Sequence, residues 1–252
     1  HVLVHDFPDL DMGQARVVLL EAMDHLLAPF HPSYRQHALE TLVKRGVEVR
    51  LGQALERATP GEVILKDGTV IPTRTLIWGA GVRAHPLAEI LGLEQTRGGR
   101  IVVGEDLSVP GRPEVFVVGD LAGAGDGKGG LLPQVAQPAI QEARHAAQNI
   151  DRTLKGEPRT PFAYHDKGIM ATIGRNAAVT ELPSGTRFKG PLAWYMWLVL
   201  HLAYIIGFRS RVAVLVNWLW SYFTYDRHAR IIVAVEPSGR RALERPPPPR
   251  TP

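Results

Sequence analysis

Chemistry in this chain has to come from a few polar residues set beside apolar runs. Val115-Phe116-Val117-Val118 is apolar on both faces and is followed at once by Gly119-Asp120. Such a run predicts a central parallel strand, buried on both sides. Ligands of doubly wound folds bind outside the carboxyl ends of these strands, so Asp120 is placed to accept hydrogen bonds from ligand hydroxyls, and Gly119 lets the backbone come close. An ordinary strand-ending turn is the alternative for this pair. Further on, Ala136-Gln137-Pro138-Ala139-Ile140-Gln141 leads into good helix formers up to about Ile150. Pro138 has no amide hydrogen and fits only where the first unpaired N–H groups of a helix fall, which makes Ala136 to Pro138 the first turn. The free amides and positive dipole end of that turn would face the mouth of the strand. Gln137 and Gln141 are four apart and share a face. An acceptor of hydroxyls beside a helix N-terminus that favours negative charge suits a reduced flavin with its ribityl chain.

Other elements must position these groups. Residues 16–20 read as a strand ending at Glu21, Ser33-Tyr34-Arg35-Gln36 as a capping box opening a helix that stops at Gly46, and residues 47–51 as the next strand. In such a strand–helix–strand unit an acid at the first strand's end hydrogen-bonds the adenosine ribose of NAD, which makes Glu21 the candidate; a solvated strand-end acid is the alternative. Residues 63–65 and 69–71 form a hairpin around Lys66-Asp67-Gly68, and residues 75–78 a strand returning to the sheet. The small residues Gly79-Ala80-Gly81 then permit close approach to a planar ligand, or make a plain turn. Residues 100–103 form a strand, and Leu107-Ser108-Val109-Pro110-Gly111 is a turn feeding Val115. After a linker at residues 158–161, residues 168–173 and 177–180 read as antiparallel strands around Gly174-Arg175-Asn176.

Glu114-Val115-Phe116-Val117-Val118-Gly119-Asp120 resembles the second flavin motif of two-dinucleotide-domain flavoprotein reductases. Ala136-Gln137-Pro138-Ala139-Ile140-Gln141 resembles the quinone-contacting helix of type II NADH:quinone oxidoreductases, with similarity running from about Arg16 to about Val233. The resemblance implies an α/β fold, a partial two-dinucleotide-binding-domain (Rossmann-like) flavoprotein with C-terminal membrane-associated helices. It implies FAD as cofactor, NADH as substrate, and electron transfer to quinone in a respiratory chain without proton pumping, at the cytoplasmic face of a cell inner membrane; a homodimer is compatible with it. Gly79, Ala80 and Gly81 then form the crossing between the nucleotide domains. Gly119, Asp120, Ala136 and Gln137 hold the flavin, Gln137 and Gln141 meet the quinone, and Lys167 approaches the flavin edge or is a solvated lysine. Glu142 departs from a family position that often carries another Gln. The implied divisions are residues 1–78 for NADH, 79–156 for FAD, 157–190 as a small antiparallel segment, 191–226 as membrane-associated helices and 227–252 as a strand with a disordered Pro-rich tail. Another flavin-dependent pyridine-nucleotide reductase of this architecture, and a noncatalytic membrane-associated binding module, are the alternatives.

Composition narrows these readings. The 252 residues, 45% of them hydrophobic, can bury one large core or two modest ones, and the absence of cysteine excludes disulfide and thiolate chemistry within the chain. A net charge of +4 with no nucleic-acid fold signature favours a membrane surface over nucleic acid. The ten histidines include no HExxH and no helical carboxylate–histidine pair, so no metal site is expected. Gly125-Asp126-Gly127-Lys128-Gly129-Gly130 spells GxGxxG but follows no strand, and reads as a loop. Neither phosphate loop of a two-dinucleotide flavoprotein is found and the chain begins at His1, so it reads as the C-terminal part of a longer protein. Trp194, Trp197, Trp218 and Trp220, four of the five tryptophans, gather in the apolar stretches 192–208 and 212–223. A span needs about 20 apolar residues, so two helices lying in the membrane interface are favoured over a span or a buried hairpin, with His201 near quinone or lipid headgroups.

Overall fold

The computed structural model describes residues 11–224. The strand and Pro-rich tail expected over residues 227–252 lie outside the described residues. Strand β1 (Val17–Leu20) pairs in parallel with β2 (Val47–Arg50), and helix α1 (Pro32–Lys44) crosses between them. This is the expected strand–helix–strand unit, but its helix opens differently. His31 is the cap residue, its Nδ1 accepting from Ser33 N–H, and Pro32 supplies the first turn's preset φ. Gln36 bonds Glu40 instead of reaching back to Ser33, so no capping box forms.

Strands β3 (Leu55–Thr59), β4 (Glu62–Leu65) and β5 (Val70–Pro72) make an antiparallel sheet, of which the sequence showed only the second hairpin. Val63, Leu65 and Ile71 are buried and pack against Val18 and Leu20 of β1. Residues 75–78, expected as a strand, have no ladder partner among the described residues and are exposed. A short helix α2 (Leu87–Ile90) and the pair β6 (Gln95–Thr96) and β7 (Arg100–Ile101) follow.

The expected central parallel strand is corrected most. β8 (Ser108–Val109) and β9 (Arg112–Phe116) form an antiparallel hairpin closed by Pro110-Gly111, where Gly111 takes φ +76°. Apolar runs report burial, not pairing partner, and a turn of this kind makes antiparallel return the shorter route. Val117 is buried with Ile101, Val109 and Ala122, while Val115 and Phe116 are half-buried. After β9 a single 3-10 turn spans Gly119–Leu121.

Helix α3 (Ala136–Leu154) begins where Pro138 required and runs four residues beyond the expected end. Its buried stripe is Pro138, Glu142, Ala146 and Asn149, the spacing of one helical face. The stretch read as a linker is docked on this stripe: Asn149 Nδ2 donates to Thr160 O (2.9 Å) and Asp106 O (3.2 Å), and Asn149 Oδ1 accepts from Thr160 N–H (3.0 Å). The Gly125–Gly130 loop is a loop as read, pinned by Asp126 Oδ1, which accepts from the amides of Lys128 and Gly130.

Strands β10 (Ile169–Gly174), β11 (Ala177–Glu181) and β12 (Arg187–Gly190) complete the sheets, the last unforeseen. Val179 and its neighbours Ile169, Ala171 and Ile173 pack on Phe30 and Tyr34, so this sheet is built onto the first unit. Arg45, at the end of α1, donates to the carbonyls of Ile173 and Arg175 in the β10–β11 turn. Helix α4 (Pro191–Tyr204) packs on β11 and β12 with Ala193 fully buried, and helix α5 (Phe208–Thr224) returns alongside it. Arg175 donates to the last carbonyls of α5, Ser221 O and Tyr222 O, and its guanidinium lies 4.8 Å from the Tyr222 ring centroid. Among the described residues no helix is long and apolar enough to cross a membrane. The 14 and 17 residues of α4 and α5 extend about 21 and about 26 Å, short of a hydrocarbon core about 30 Å thick.

Candidate functional site

The site assembles around the first turns of α3. Gly119 takes φ +68°, and a Cβ there would sit 3.3 Å from the Ala139 Cβ, so glycine is what lets the chain pass against the helix. Its amide donates to Glu142 Oε2 (2.5 Å), and the Asp120 carbonyl accepts from Gln134 Nε2 (2.8 Å). The Asp120 backbone is thus held on both sides while its residue remains exposed. No side chain caps the N-terminus of α3, whose cap residue is Val135.

Two buried charged residues fix the loop from behind. Arg100 donates through Nε to Ala122 O (2.7 Å) and through Nη1 to Leu132 O (2.8 Å), tying both ends of the loop together. Glu142 is only 1% exposed and holds the Gly119 amide. Burial pushes the Glu142 carboxyl above the usual carboxylate range; the Gly119 amide and Arg100 oppose the shift and Asp120 adds to it. Burial likewise draws the Arg100 guanidinium down, against the pull of Glu142 and Asp120. Desolvation outweighs the mutual attraction for both groups, as it does when charges are buried without a bidentate contact.

The sign of the Glu142 shift gives a testable pH dependence. The folded chain binds this proton more tightly than the unfolded chain, so the contribution to stability is greatest below the ordinary glutamate value and falls as pH rises through the raised one. Glu142→Gln keeps an acceptor without the charge and should flatten that part of the profile in thermal melts from mildly acidic to neutral pH. Glu142→Ala should lower stability throughout, by about 1–3 kcal/mol for the stranded Gly119 donor. An unaltered slope in Glu142→Gln would assign the dependence to another group.

Gln137, Gln141 and His145 form a second, half-buried stripe beside the buried one. Gln137 Oε1 is buried with no hydrogen-bond partner among the described residues. Next to it Lys167 Nζ donates to Tyr204 Oη (3.2 Å) and lies 5.8 Å from that ring's centroid. Lys167, then the Gln137 amide, pull the Tyr204 phenol below its ordinary range. Gln141, expected to offer its amide to a quinone carbonyl, has both amide atoms bonded to the His165 backbone. Glu21 and Gly79-Ala80-Gly81 lie apart from this cluster in the chain; Glu21 Oε1 accepts from Met23 N–H (2.9 Å), and the three small residues are exposed. His201 stacks on Trp197 with ring centroids 3.8 Å apart.

Sequence reasoning missed the site roles of Arg100, Glu142 and Tyr204. Glu142 was legible in principle: it is about 100° around the helix from Gln141 and i+4 from Pro138, so it falls on the buried stripe, away from the quinone-side stripe to which the resemblance would assign it. Arg100 and Tyr204 carry no local signal, because their roles depend on loops and helices distant in sequence.

Residues 10–149 match the family described as pyridine nucleotide-disulphide oxidoreductase, and residues 166–227 match the NDH2 C-terminal domain. The chain belongs to the pyridine nucleotide-disulphide oxidoreductase family, and it does so without a cysteine. The type II NADH:quinone oxidoreductase Ndh of Mycobacterium tuberculosis is 40% identical over 97% of this chain and 54% of its own length. An internal alternative NAD(P)H-ubiquinone oxidoreductase A1 of Arabidopsis thaliana is 33% identical over 82% of this chain and 44% of its own length. Within the family the chain groups with the type II enzymes, as its two motifs suggest. The fold agrees: NDH2 from Plasmodium falciparum in complex with NADH superimposes with TM-score 0.77 at 15% identity, covering 88% of this chain and 60% of that one. The chain spans about half the length of the curated relatives it matches.

Proposed function

We propose that this chain is part of an FAD-dependent oxidoreductase that passes electrons from NADH to a membrane quinone without transporting protons. The observation that carries this is the meeting of Gly119-Asp120, the uncapped N-terminus of α3, and the Gln137–Lys167–Tyr204 cluster beside the turn of an apolar helical hairpin. The residues suit FAD. Asp120 offers a strong acceptor for ribityl hydroxyls, Gly119 removes the side chain that would block close approach, and the buried Gln137 Oε1 is an acceptor for a ring imide N–H. Bound flavin supplies two-electron acceptance from NADH and delivery to quinone. The N-terminus of α3, beginning at Ala136, stabilises negative charge arriving beside it, and Lys167 does the same from the opposite chain segment.

On the nucleotide side, Glu21 at the end of β1 accepts from the ribose and disfavours a 2′-phosphate, and Gly79-Ala80-Gly81 serves as the crossing that admits the nicotinamide. Residues 1–78 then belong to the NADH domain and residues 79–156 to the FAD domain. The exposed apolar side chains of α4 and α5 favour a peripheral place on a bacterial inner membrane, facing the cytoplasm. A reductase serving a soluble acceptor would have no use for that surface.

Anaerobic NADH should bleach the flavin of the loaded protein, and a short-chain quinone should restore its colour. Glu21→Gln should narrow the preference for NADH over NADPH by about tenfold, the scale of one charge-assisted contact. Reoxidation by a soluble one-electron acceptor but not by quinone would replace this reading with that of another reductase, and a parent protein preferring NADPH would remove Glu21 from the ribose.

A further inference from the structure

Gln141 sits one turn beyond Gln137, and its side-chain amide makes two bonds to a single residue. Nε2 donates to His165 O (2.9 Å) and Oε1 accepts from His165 N–H (3.0 Å), so the side chain pairs with the backbone as a neighbouring strand would. In the next residue, Asp166 Oδ1 accepts from Gly168 N–H (2.8 Å). Gly168 has φ +84°, and a Cβ there would lie 2.3 Å from Glu181 O, so this position is wedged against β11. Lys167 therefore stands between two anchors, one on α3 and one on the sheet. Its own side chain is exposed, and one exposed contact does not repay the rotamer freedom a lysine loses in making it. The Lys167–Tyr204 contact depends on a backbone that is already fixed.

We propose that Gln141 is a positioning residue: it clamps the His165 backbone so that Lys167 is presented to Tyr204 and Gln137. What this cluster receives rests on the function proposed above; the clamp does not.

The two can be tested separately in the holoprotein. With tyrosine labelled by 13C at Cζ, the Tyr204 resonance is identified by its loss in Tyr204→Phe. Lys167, Gln137 and Arg144 all hold this phenol below its ordinary range, whereas burial pushes Tyr34 and Tyr164 up, so the resonance titrates apart from theirs. Gln141→Leu should move the Tyr204 titration up toward an ordinary tyrosine, as Lys167→Met does, and the double variant should move it no further. Gln141→Asn keeps both the donor and the acceptor on a side chain one methylene shorter, so it should fall between; it carries the same reading if Gln141→Leu does not fold. Each single variant should raise KM for a short-chain quinone about tenfold, with the pair far from additive. A Tyr204 titration unmoved by either Gln141 variant, or additive effects in the cycle, would overturn the clamp. A parent protein that reduces no quinone would end the functional reading and leave the titration to decide the clamp.

Discussion

Asp120→Ala should release FAD about ten- to a hundredfold more readily, because a charge-assisted hydrogen bond to a hydroxyl is worth about 1.5–3 kcal/mol. The substitution removes a side chain that makes no hydrogen bond within the described fold, where only the Asp120 carbonyl is engaged, by Gln134. Stability of the flavin-free protein should therefore stay near that of the parent, which separates this variant from Glu142→Ala, where the Gly119 amide loses its acceptor. Equilibrium dialysis followed by flavin fluorescence measures the affinity. Affinity equal to the parent's would place the ribityl chain elsewhere and leave Asp120 as a strand-end acid.

The second large effect belongs to the hairpin. Ile206 lies in the turn between α4 and α5 and Phe208 opens α5; they are 92% and 81% exposed, although each would gain about 1.5–3 kcal/mol by leaving water. Arg211 holds this turn in shape, donating through Nε to Ile205 O (2.8 Å) and through Nη2 to Ala203 O (2.9 Å), so the two apolar side chains are presented on a fixed loop. Replacing both by Asp should lower partitioning onto anionic vesicles by roughly a hundredfold while leaving NADH oxidation with a soluble acceptor intact. Vesicle flotation with and without a high-salt wash reads the result. A double variant that floats like the parent would put the anchor on another surface. Substitution is the sharper test than truncation at Pro191, since removing α4 would uncover the sheet where Ala193 is buried.

Much of the architecture was written locally. Pro138 set the start of α3 because a residue without an amide hydrogen has few places in a helix, and the Lys66-Asp67-Gly68 turn set the β4–β5 hairpin because Gly68 must take φ +83°. Pairing was not local. Val115 to Val118 read as a buried parallel strand, yet the backbone turns back at Pro110-Gly111 and pairs antiparallel, since hydrophobicity records what a residue avoids and not which strand it meets. The same limit explains the site. Gly119 packs against Ala139 in the first turns of α3, but the partner of Gln141 is a backbone 24 residues away, and the residues fixing the loop, Arg100 and Glu142, are recognisable only by being buried. Charged residues in an interior are rare enough that finding two behind one loop marks it as a loop whose shape matters.

The β10–β11 turn is gripped from two directions. Arg45 reaches it from the end of α1 through Ile173 O and Arg175 O, and Arg175 reaches on to the end of α5 through Ser221 O and Tyr222 O. A Cβ on Gly174 would collide with the Arg45 guanidinium, so the grip is close as well as polar. Rocking the hairpin against α1 would have to peel a guanidinium from carbonyls on one side of the turn or the other. A body resting on a lipid surface by that hairpin would thus keep one posture, its nucleotide-side unit standing at a set height and heading above the headgroups. It would behave as a plate bolted to its foot and not as a bead on a tether.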